Sequence, residues 1–208
     1  MFADREDAGR RLGEALRGRV EGDVVVLGIP RGGVVVAAEV ARALGAPLDV
    51  VVPRKIGAPR NPELAVGAIA PGVQVWEETI LRALRVSPEY LAKRVAEEEA
   101  EIERRSAAYR GARPPLDLEG HTAVVVDDGI ATGATAEAAL RWCRVQRASR
   151  VVLAVPVAPG GAAERLGELA DDVVLLLAPW SFHAVGEWYV EFGQSSDEDV
   201  IEALREEA

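Results

Sequence analysis

The sequence contains a single cysteine, Cys143, among its 208 residues. One cysteine cannot form a disulfide bond within the chain, and such scarcity is typical of proteins from a reducing compartment. Long apolar runs are also missing, since the longest are strand-sized pieces such as Val173–Ala178, far short of the roughly 20 residues that span a bilayer. Residues 1–16 carry charges throughout and lack the apolar stretch of a signal peptide. These absences predict a cytoplasmic protein without a membrane partner.

Positive charge is in deficit as well. The chain has 24 Lys and Arg against 34 Asp and Glu, which gives a formal net charge of −10 at pH 7. A field of that sign repels a polyphosphate backbone unless a local basic patch overcomes it, and the sequence shows no such patch. We therefore expect no nucleic-acid partner. The length fits a single α/β domain, residues 1–208, whose core needs neither disulfides nor structural metals.

Short β-branched runs alternate with segments of helical periodicity from Asp23 onward, a pattern typical of βαβ units around a parallel sheet. The runs are nearly all apolar, as expected of strands that helices cover on both faces. The predicted strands are Val24–Leu27, Leu48–Val52, Thr122–Val126, Val151–Val155 and Val173–Leu177, and the predicted helices lie near Gly33–Leu44, Thr132–Arg147 and Gly161–Ala170. The predicted fold class is therefore α/β, with a parallel twisted sheet and helices on both faces.

Two regions interrupt this alternation, and segments of this kind on a rigid sheet often carry function. The first is a helical insertion at residues 53–115. It is predicted to contain a short strand pair at Ala65–Ala70 and Val73–Trp76. A long charged helix is predicted at Pro88–Arg110. Ser87 is the expected N-cap of that helix, with Pro88 at its first position. The second region, residues 179–194, is rich in aromatic side chains.

The most informative stretch is VVVDDGIATGAT at Val124–Thr135, where an apolar strand ends in two carboxylates and enters a helix through a turn of small residues. Backbone N–H groups at such a turn point outward with the positive end of the helix dipole. Gly133 lets an anion approach the backbone closely, and Thr132 and Thr135 add hydroxyl donors. A phosphate monoester would fit this turn.

Asp127 and Asp128 stand just upstream of the turn, at the carboxyl end of the strand, and should face the same crevice. Adjacent carboxylates there can accept hydrogen bonds from a sugar diol or help to hold Mg²⁺ through water. Two other interpretations stay open. One is an acidic strand end that caps a helix, and the other is a phosphoacceptor site of the receiver type, although receivers carry their acid pair on the first strand.

A second glycine-rich turn, LGIPRGG at Leu27–Gly33, follows the first strand and opens a helix. Arg31 and the backbone of the glycines after it would form another anion site at the same edge of the sheet. An ordinary strand-to-helix turn is the alternative. Arg54 and Lys55 follow the second strand and would add two positive charges at this edge. A solvated basic pair would look the same in the sequence.

The stretch Val124–Thr135 resembles the signature of the type I phosphoribosyltransferases, in which two apolar residues and two acids precede a turn rich in Thr and Gly. The resemblance implies that Asp127 and Asp128 hold the ribose hydroxyls of 5-phosphoribosyl-1-pyrophosphate. It implies a catalytic set of Asp127, Asp128, Arg54 and Lys55. The 5′-phosphate loop would consist of Ala131, Thr132, Gly133, Ala134 and Thr135. The pyrophosphate loop would consist of Pro30, Arg31, Gly32 and Gly33. Residues 179–194 would form the family's small C-terminal hood.

The activity that the resemblance implies is transfer of the phosphoribosyl group to a nucleobase or related nitrogen acceptor, with release of pyrophosphate. Mg²⁺ would be the cofactor, bound mainly through substrate and water without direct protein ligands. Phe182 and His183 of the hood are candidates for stacking the acceptor, although aromatic side chains there could instead pack the last strand against the core. Because the family often forms dimers, we expect a homodimer.

The chain departs from the family pattern at two places. Ala131 stands where the hypoxanthine–guanine branch carries an aspartate for proton transfer, which argues against that chemistry. The mobile catalytic loop expected after the Arg-Lys pair is confined to residues 57–61, with Glu63 as the nearest candidate acid. Both departures keep a second function open, a non-catalytic regulator that senses phosphoribosyl pyrophosphate or a nucleotide on the same fold.

Overall fold

A five-stranded parallel sheet lies at the centre of the computed structural model, which describes residues 1–206. The strands in chain order are β1 (Val24–Gly28), β2 (Leu48–Val50), β3 (Arg54–Ala58), β4 (Asn61–Ala70), β5 (Val73–Trp76), β6 (Thr122–Val126), β7 (Arg150–Val157) and β8 (Asp172–Leu177). The helices are α1 (Arg5–Leu16), α2 (Gly32–Leu44), α3 (Glu78–Leu84), α4 (Pro88–Arg110), α5 (Ala134–Val145), α6 (Gly160–Gly167) and α7 (Asp197–Glu206), with a 3₁₀ turn at Val185–Trp188. The large sheet has the order β2-β1-β6-β7-β8, and its neighbouring strands run parallel.

Side chains of the large sheet alternate between two buried faces. Val26 and Val124 pack with α2, in a cluster that α1 and α7 complete. Val25 and Val125 pack with α5 and α6 on the opposite face. Burial on both faces explains why each strand is a nearly continuous apolar run. The predicted fold class, a parallel sheet with helices on both faces, is confirmed.

The direction in which the strands are added reverses between β1 and β6. From β1 the chain passes through α2 to β2 on one side, and from β6 it passes through α5 to β7 on the other. In open α/β sheets the ligand crevice lies at such a point, outside the carboxyl ends of the strands. The turns that follow β1 and β6 are therefore the ones placed to bind a ligand.

The insertion between β2 and β6 carries a second, antiparallel sheet with the order β3-β4-β5. The strand pair predicted within residues 65–76 is confirmed, although β4 begins earlier, at Asn61. Arg54 and Lys55, which the sequence places after the second strand, are the first residues of a further strand, β3. β2 also ends earlier than predicted, at Val50, since the chain leaves the large sheet to enter β3.

The long helix α4 begins as the sequence predicts. The hydroxyl of Ser87 accepts a hydrogen bond from the backbone N–H of Tyr90 at 3.2 Å, and Pro88 occupies the first helical position. Ile102 and Tyr109 of α4 are buried against the core. Neither α4 nor any other helix in the described part of the chain is long and apolar enough to cross a bilayer.

Candidate functional site

The acidic pair, Asp127 and Asp128, directly follows β6 at the point where the strand order reverses, and both residues are partly buried. Oδ1 of Asp127 accepts a hydrogen bond from the backbone N–H of Asp128 at 2.9 Å. Oδ2 of Asp128 accepts one from Nε of Arg5 at 2.7 Å. The hydroxyl of Tyr189 donates to the carbonyl oxygen of Asp128 at 2.5 Å. Each carboxyl group thus keeps one oxygen, Oδ2 of Asp127 and Oδ1 of Asp128, that accepts no hydrogen bond from any other residue within 1–206.

Burial sets the protonation behaviour of the acidic pair. It raises the pKa of Asp127 well above that of an ordinary aspartate, and the neighbouring charge of Asp128 raises it further. Burial also raises the pKa of Asp128, although the ion pair with Arg5 opposes that rise. The fold therefore places two adjacent carboxyl groups in a buried environment that disfavours their ionised forms. Such a cost is typical of residues that a binding or catalytic site requires.

A neutral replacement, Asp127→Asn, should stabilise the ligand-free protein at neutral pH. The pKa of Asp127 is higher in the folded chain than the value of about 4 for an unfolded aspartate. The free energy of unfolding therefore declines as the pH rises from about 4 through the folded-state pKa. Asparagine removes that loss, so we expect the melting temperature at pH 7 to rise by about 2–4 °C, the shift that ~1 kcal/mol produces in a chain of this size. The gain should shrink towards pH 4 in thermal melts. Asp23→Asn, at an exposed aspartate, is the control expected to show no gain.

The glycine-rich turn after β1 packs directly against the acidic pair. A Cβ atom on Gly32 would lie 2.0 Å from Oδ2 of Asp128, and one on Gly33 would lie 2.8 Å from Cα of Asp127. Neither position therefore has room for a side chain. The structure thus brings the turn after β1 against the acidic pair after β6, at the same edge of the sheet as the sequence predicts.

Pro30 and Arg31 complete this turn, and the peptide bond between them is cis. Arg31 is exposed, and its side chain forms no hydrogen bond or ion pair within residues 1–206. A guanidinium group without such a partner, beside glycine backbone at a strand end, is well suited to bind an anion.

The turn between β6 and α5 leaves the N-terminus of that helix open. The predicted phosphate-loop residues run along it, the first two exposed and the last two inside the helix: Ala131, Thr132, Gly133, Ala134 and Thr135. Gly133 is the N-cap with φ of +83°, and no side chain in the described part of the chain caps the helix there. Arg165 of α6, which sequence analysis did not identify, donates to the carbonyl oxygen of Thr132 at 2.6 Å. Open N–H groups and the helix dipole together favour a phosphate, while Arg165 also pairs with Glu137 at 2.6 Å.

The two cations expected at the pyrophosphate are instead engaged within the insertion. Nε of Arg54 lies 2.7 Å from Oε2 of Glu98 on α4, which also pairs with Arg94. Nζ of Lys55 lies 3.3 Å from Oε2 of Glu63. Successive residues of a strand point to opposite faces, so the two cations cannot both face one ligand while they remain in β3.

We expect Arg54→Ala to destabilise the fold, because it removes a charge-assisted hydrogen bond to the nearly buried carboxylate of Glu98. The free energy of unfolding should fall by about 1–3 kcal/mol, with Arg94 retaining part of the pairing. Lys55→Ala is the matched control, since its partner Glu63 is 91% exposed and exposed pairs contribute ~0–1 kcal/mol. Urea denaturation measures both. Equal effects would show that Arg54 does not anchor α4.

Residues 4–188 match the family model described as the phosphoribosyl transferase domain. The chain belongs to the phosphoribosyl transferase family. The matched span includes the acidic pair, both glycine-rich turns and the insertion, so the family that the motif resembles is confirmed.

Relatives of the chain support its assignment to this family. Two proteins of Mycobacterium tuberculosis, strains CDC 1551 / Oshkosh and H37Rv, are provisionally named phosphoribosyl transferases and are each 46% identical to it over 205 residues. The match covers 98% of the chain but 46% of each relative, so the chain spans less than half of their length. The crystal structure of TT1426 from Thermus thermophilus is similar with a TM-score of 0.85 and 48% identity, over 100% of this chain and 99% of that one. AQ2163 from Aquifex aeolicus shares the fold at a TM-score of 0.50 and 14% identity, over 83% of this chain and 73% of that one.

The predicted hood, residues 179–194, packs partly through its aromatic side chains. Tyr189 is buried between the rings of Phe2 and Phe192, whose centroids lie 5.3 and 5.0 Å away. The backbone of Phe2 also pairs with this segment, donating to Trp188 and accepting from Val190, each at 2.8 Å. The alternative of core packing therefore applies to Tyr189, and residues near the N-terminus hold the hood in place.

The two candidate acceptor-binding residues of the hood differ in exposure. Phe182 is partly buried and packs on the cluster of Phe2 and Tyr189. His183 is exposed, with Nδ1 3.5 Å from a carboxylate oxygen of Glu187. Trp180 is fully exposed. His183 and Trp180 thus remain accessible to a ligand, whereas Phe182 offers part of its ring.

Proposed function

We propose that the chain transfers the phosphoribosyl group of 5-phosphoribosyl-1-pyrophosphate to a nucleobase or related nitrogen acceptor, with release of pyrophosphate and with Mg²⁺ as cofactor. The observation that carries the proposal is the meeting of two anion-binding turns and an acidic pair between β1 and β6. One ligand with a phosphate at one end, a diol in the middle and a pyrophosphate at the other fits these three parts.

The two free carboxylate oxygens of the acidic pair are placed to accept hydrogen bonds from the ribose hydroxyls. The turn at residues 131–135 would bind the 5′-phosphate through its open N–H groups, aided by the dipole of α5. Holding the sugar at both points leaves C1 exposed to an acceptor. Orientation of this kind lowers the barrier by removing the entropy of bringing the reactants together.

The leaving pyrophosphate would lie against the turn at residues 30–33, where the side chain of Arg31 has no competing partner in the described chain. Positive charge there stabilises the leaving group as its bond to C1 lengthens. The acidic pair offers hard oxygen donors beside this turn, a set that fits Mg²⁺ held through water and substrate. When bound, Mg²⁺ supplies further neutralisation of the departing charge.

The acceptor would enter from the hood side, where Phe182 and His183 are the candidates for contact with a flat heterocycle. Ala131 offers no carboxylate for proton transfer at the base. The identity of the acceptor, like the homodimer that sequence analysis expects, stays a prediction.

The test is release of pyrophosphate from phosphoribosyl pyrophosphate and Mg²⁺ in the presence of single free bases. We expect at least one base to give release that depends on both substrates and is lost when Asp127 and Asp128 are replaced by asparagine. Tight binding of phosphoribosyl pyrophosphate without release on any base would contradict catalysis.

A non-catalytic sensor on the same fold is the second candidate function. It is favoured by the engagement of Arg54 with Glu98 and by the tight turn at residues 59–60 between β3 and β4, which leaves no long loop beside the site. A sensor would bind phosphoribosyl pyrophosphate or a nucleotide and leave it intact. Binding followed by recovery of the unchanged ligand would identify it.

A further inference from the structure

The guanidinium group of Arg5 is the only cation that contacts the acidic pair within residues 1–206, and the proposed function gives it no role. Arg5 is the first residue of α1, and its side chain is 13% exposed. A cation in the first turn of a helix is unfavourable toward the helix dipole, so α1 itself does not explain this residue. Its contacts to other elements do.

Those contacts join three parts of the chain. Nε of Arg5 donates to Oδ2 of Asp128 at 2.7 Å, and Nη1 donates to the carbonyl oxygen of Gly193 at 2.7 Å. The guanidinium carbon lies 4.0 Å from the centroid of Phe192, in a cation–π contact. A Cβ atom on Gly32 would lie 2.5 Å from Nε of Arg5. Arg5 therefore sits where the end of β6, the turn after β1 and the end of the hood meet.

The hydrogen bond from Arg5 also decides which oxygen of Asp128 is free. Arg5 occupies Oδ2 of Asp128, so Oδ1 of Asp128 is the oxygen left for a ligand. In Asp127 the backbone bond occupies Oδ1, so Oδ2 of Asp127 is the oxygen left. The free oxygens thus come one from each carboxyl group, which matches the two hydroxyls of a vicinal diol. Asp127 accepts its hydrogen bond from the backbone of the next residue, whereas Arg5 is the one side chain within residues 1–206 that donates to the carboxylate of Asp128.

We propose that Arg5 is a positioning residue that orients the Asp128 carboxylate for one hydroxyl of the sugar diol and ties it to the hood. This inference rests on the proposed function. Without Arg5, Asp128 would rotate and lose its fixed acceptor oxygen, while Asp127 would keep its own. Recognition should then fail at one hydroxyl and persist at the other, which a merely structural residue would not cause.

The experiment compares ribose 5-phosphate with its 2-deoxy and 3-deoxy forms, each titrated calorimetrically with Mg²⁺ into wild type and Arg5→Ala. The wild type should prefer ribose 5-phosphate over each deoxy sugar by about tenfold, the value of one hydrogen bond to a charged group. Arg5→Ala should lose the preference over one deoxy sugar and keep it over the other. Arg5→Lys, whose single ammonium group cannot span Asp128 and Gly193, should show the same one-sided loss to a smaller extent.

Arg10→Ala is the matched control, because Arg10 lies on the same helix in an exposed pair with Glu6. It should retain the wild-type preferences, and thermal melts check that each variant is folded. If Arg5→Ala or Arg5→Lys loses the preference for ribose 5-phosphate equally over both deoxy sugars, or loses neither preference, the role of Arg5 is overturned. The role is also overturned if the wild type binds phosphoribosyl pyrophosphate but does not prefer ribose 5-phosphate over the deoxy sugars. A wild type that binds neither phosphoribosyl pyrophosphate nor ribose 5-phosphate would overturn the proposed function and this inference together.

Discussion

Replacement of Asp127 and Asp128 together by asparagine is expected to abolish binding of phosphoribosyl pyrophosphate with Mg²⁺. The substitutions remove the charge from both acceptor oxygens that the fold leaves free, and an amide can turn its NH₂ group toward a hydroxyl. Each charge-assisted hydrogen bond is worth ~1.5–3 kcal/mol, so loss of two should weaken binding by at least about a hundredfold. Calorimetric titration into wild type and double variant measures the change.

The matched control is a second pair of neighbouring aspartates, Asp171 and Asp172, at the amino end of β8 and thus at the opposite edge of the sheet. Their replacement by asparagine removes the same charge from the protein but should leave binding intact. If both double variants bind like the wild type, the acidic pair after β6 does not hold the sugar. If a well-folded wild type does not bind at all, the proposed substrate is wrong.

The large sheet is predictable because its strands are buried on both faces. Burial demands nearly continuous apolar runs, and these are visible in Val24–Gly28 and Thr122–Val126 without any knowledge of the partner strands. Strand ends are less predictable, since they depend on pairing. β7 continues to Val157, beyond the predicted Val155, because Val157 still pairs with Leu177 of β8.

β3 shows why the insertion could be predicted only in part. It begins with two charged residues and contains Gly57, so it has neither the alternation nor the composition of a strand. It is a strand because β4 pairs with it, through a register that shifts at Gly57. A single sequence does not reveal that partner, so the sequence predicts no strand at Arg54 and Lys55.

The sequence does not predict the N-terminal helix, α1, because its packing requires glycines. Gly9 and Gly13 lower helix propensity, yet both are needed where α2 crosses α1. A Cβ atom on Gly9 would lie 2.6 Å from the carbonyl oxygen of Val36, and one on Gly13 would lie 2.5 Å from Cβ of Ala43. The hydrogen bond from Arg5 to the acidic pair joins residues that are 123 positions apart, so no local sequence pattern predicts it.

The candidate site divides in the same way. Its acids and glycines follow buried strands, and the rule that ligands bind at the carboxyl ends of such strands places them together. The side chains that hold them, Arg5, Arg165 and Tyr189, come from separate elements that approach only in the folded chain. The sequence therefore predicts the acids and glycines that the strand order brings together, and it misses the side chains that hold them in position.

Gly33→Ala is the second substitution with a large expected effect. The added Cβ atom would lie 2.8 Å from Cα of Asp127 and 3.0 Å from the carbonyl oxygen of Val126. Backbone atoms at the end of a buried strand cannot move aside, so the turn after β1 must shift away from the acidic pair. We expect a loss of about 1–3 kcal/mol in the free energy of unfolding. Binding of phosphoribosyl pyrophosphate should fall by at least about tenfold, because a shift of ~1 Å disrupts a site that grips one ligand from two turns.

Gly160→Ala separates this steric effect from the general consequence of replacing a glycine. Gly160 is the first residue of α6, and a Cβ atom there would meet nothing within 4 Å. The substitution should therefore leave binding unchanged and stabilise the protein by ~0.4–1 kcal/mol, because alanine lowers the entropy of the unfolded chain. Urea denaturation and calorimetric titration are run on both variants. If Gly33→Ala binds phosphoribosyl pyrophosphate as tightly as Gly160→Ala does, the turn after β1 takes no part in holding the ligand, and the pyrophosphate must lie elsewhere. A selective loss in Gly33→Ala would instead show that contact between this turn and the acidic pair is a requirement of binding.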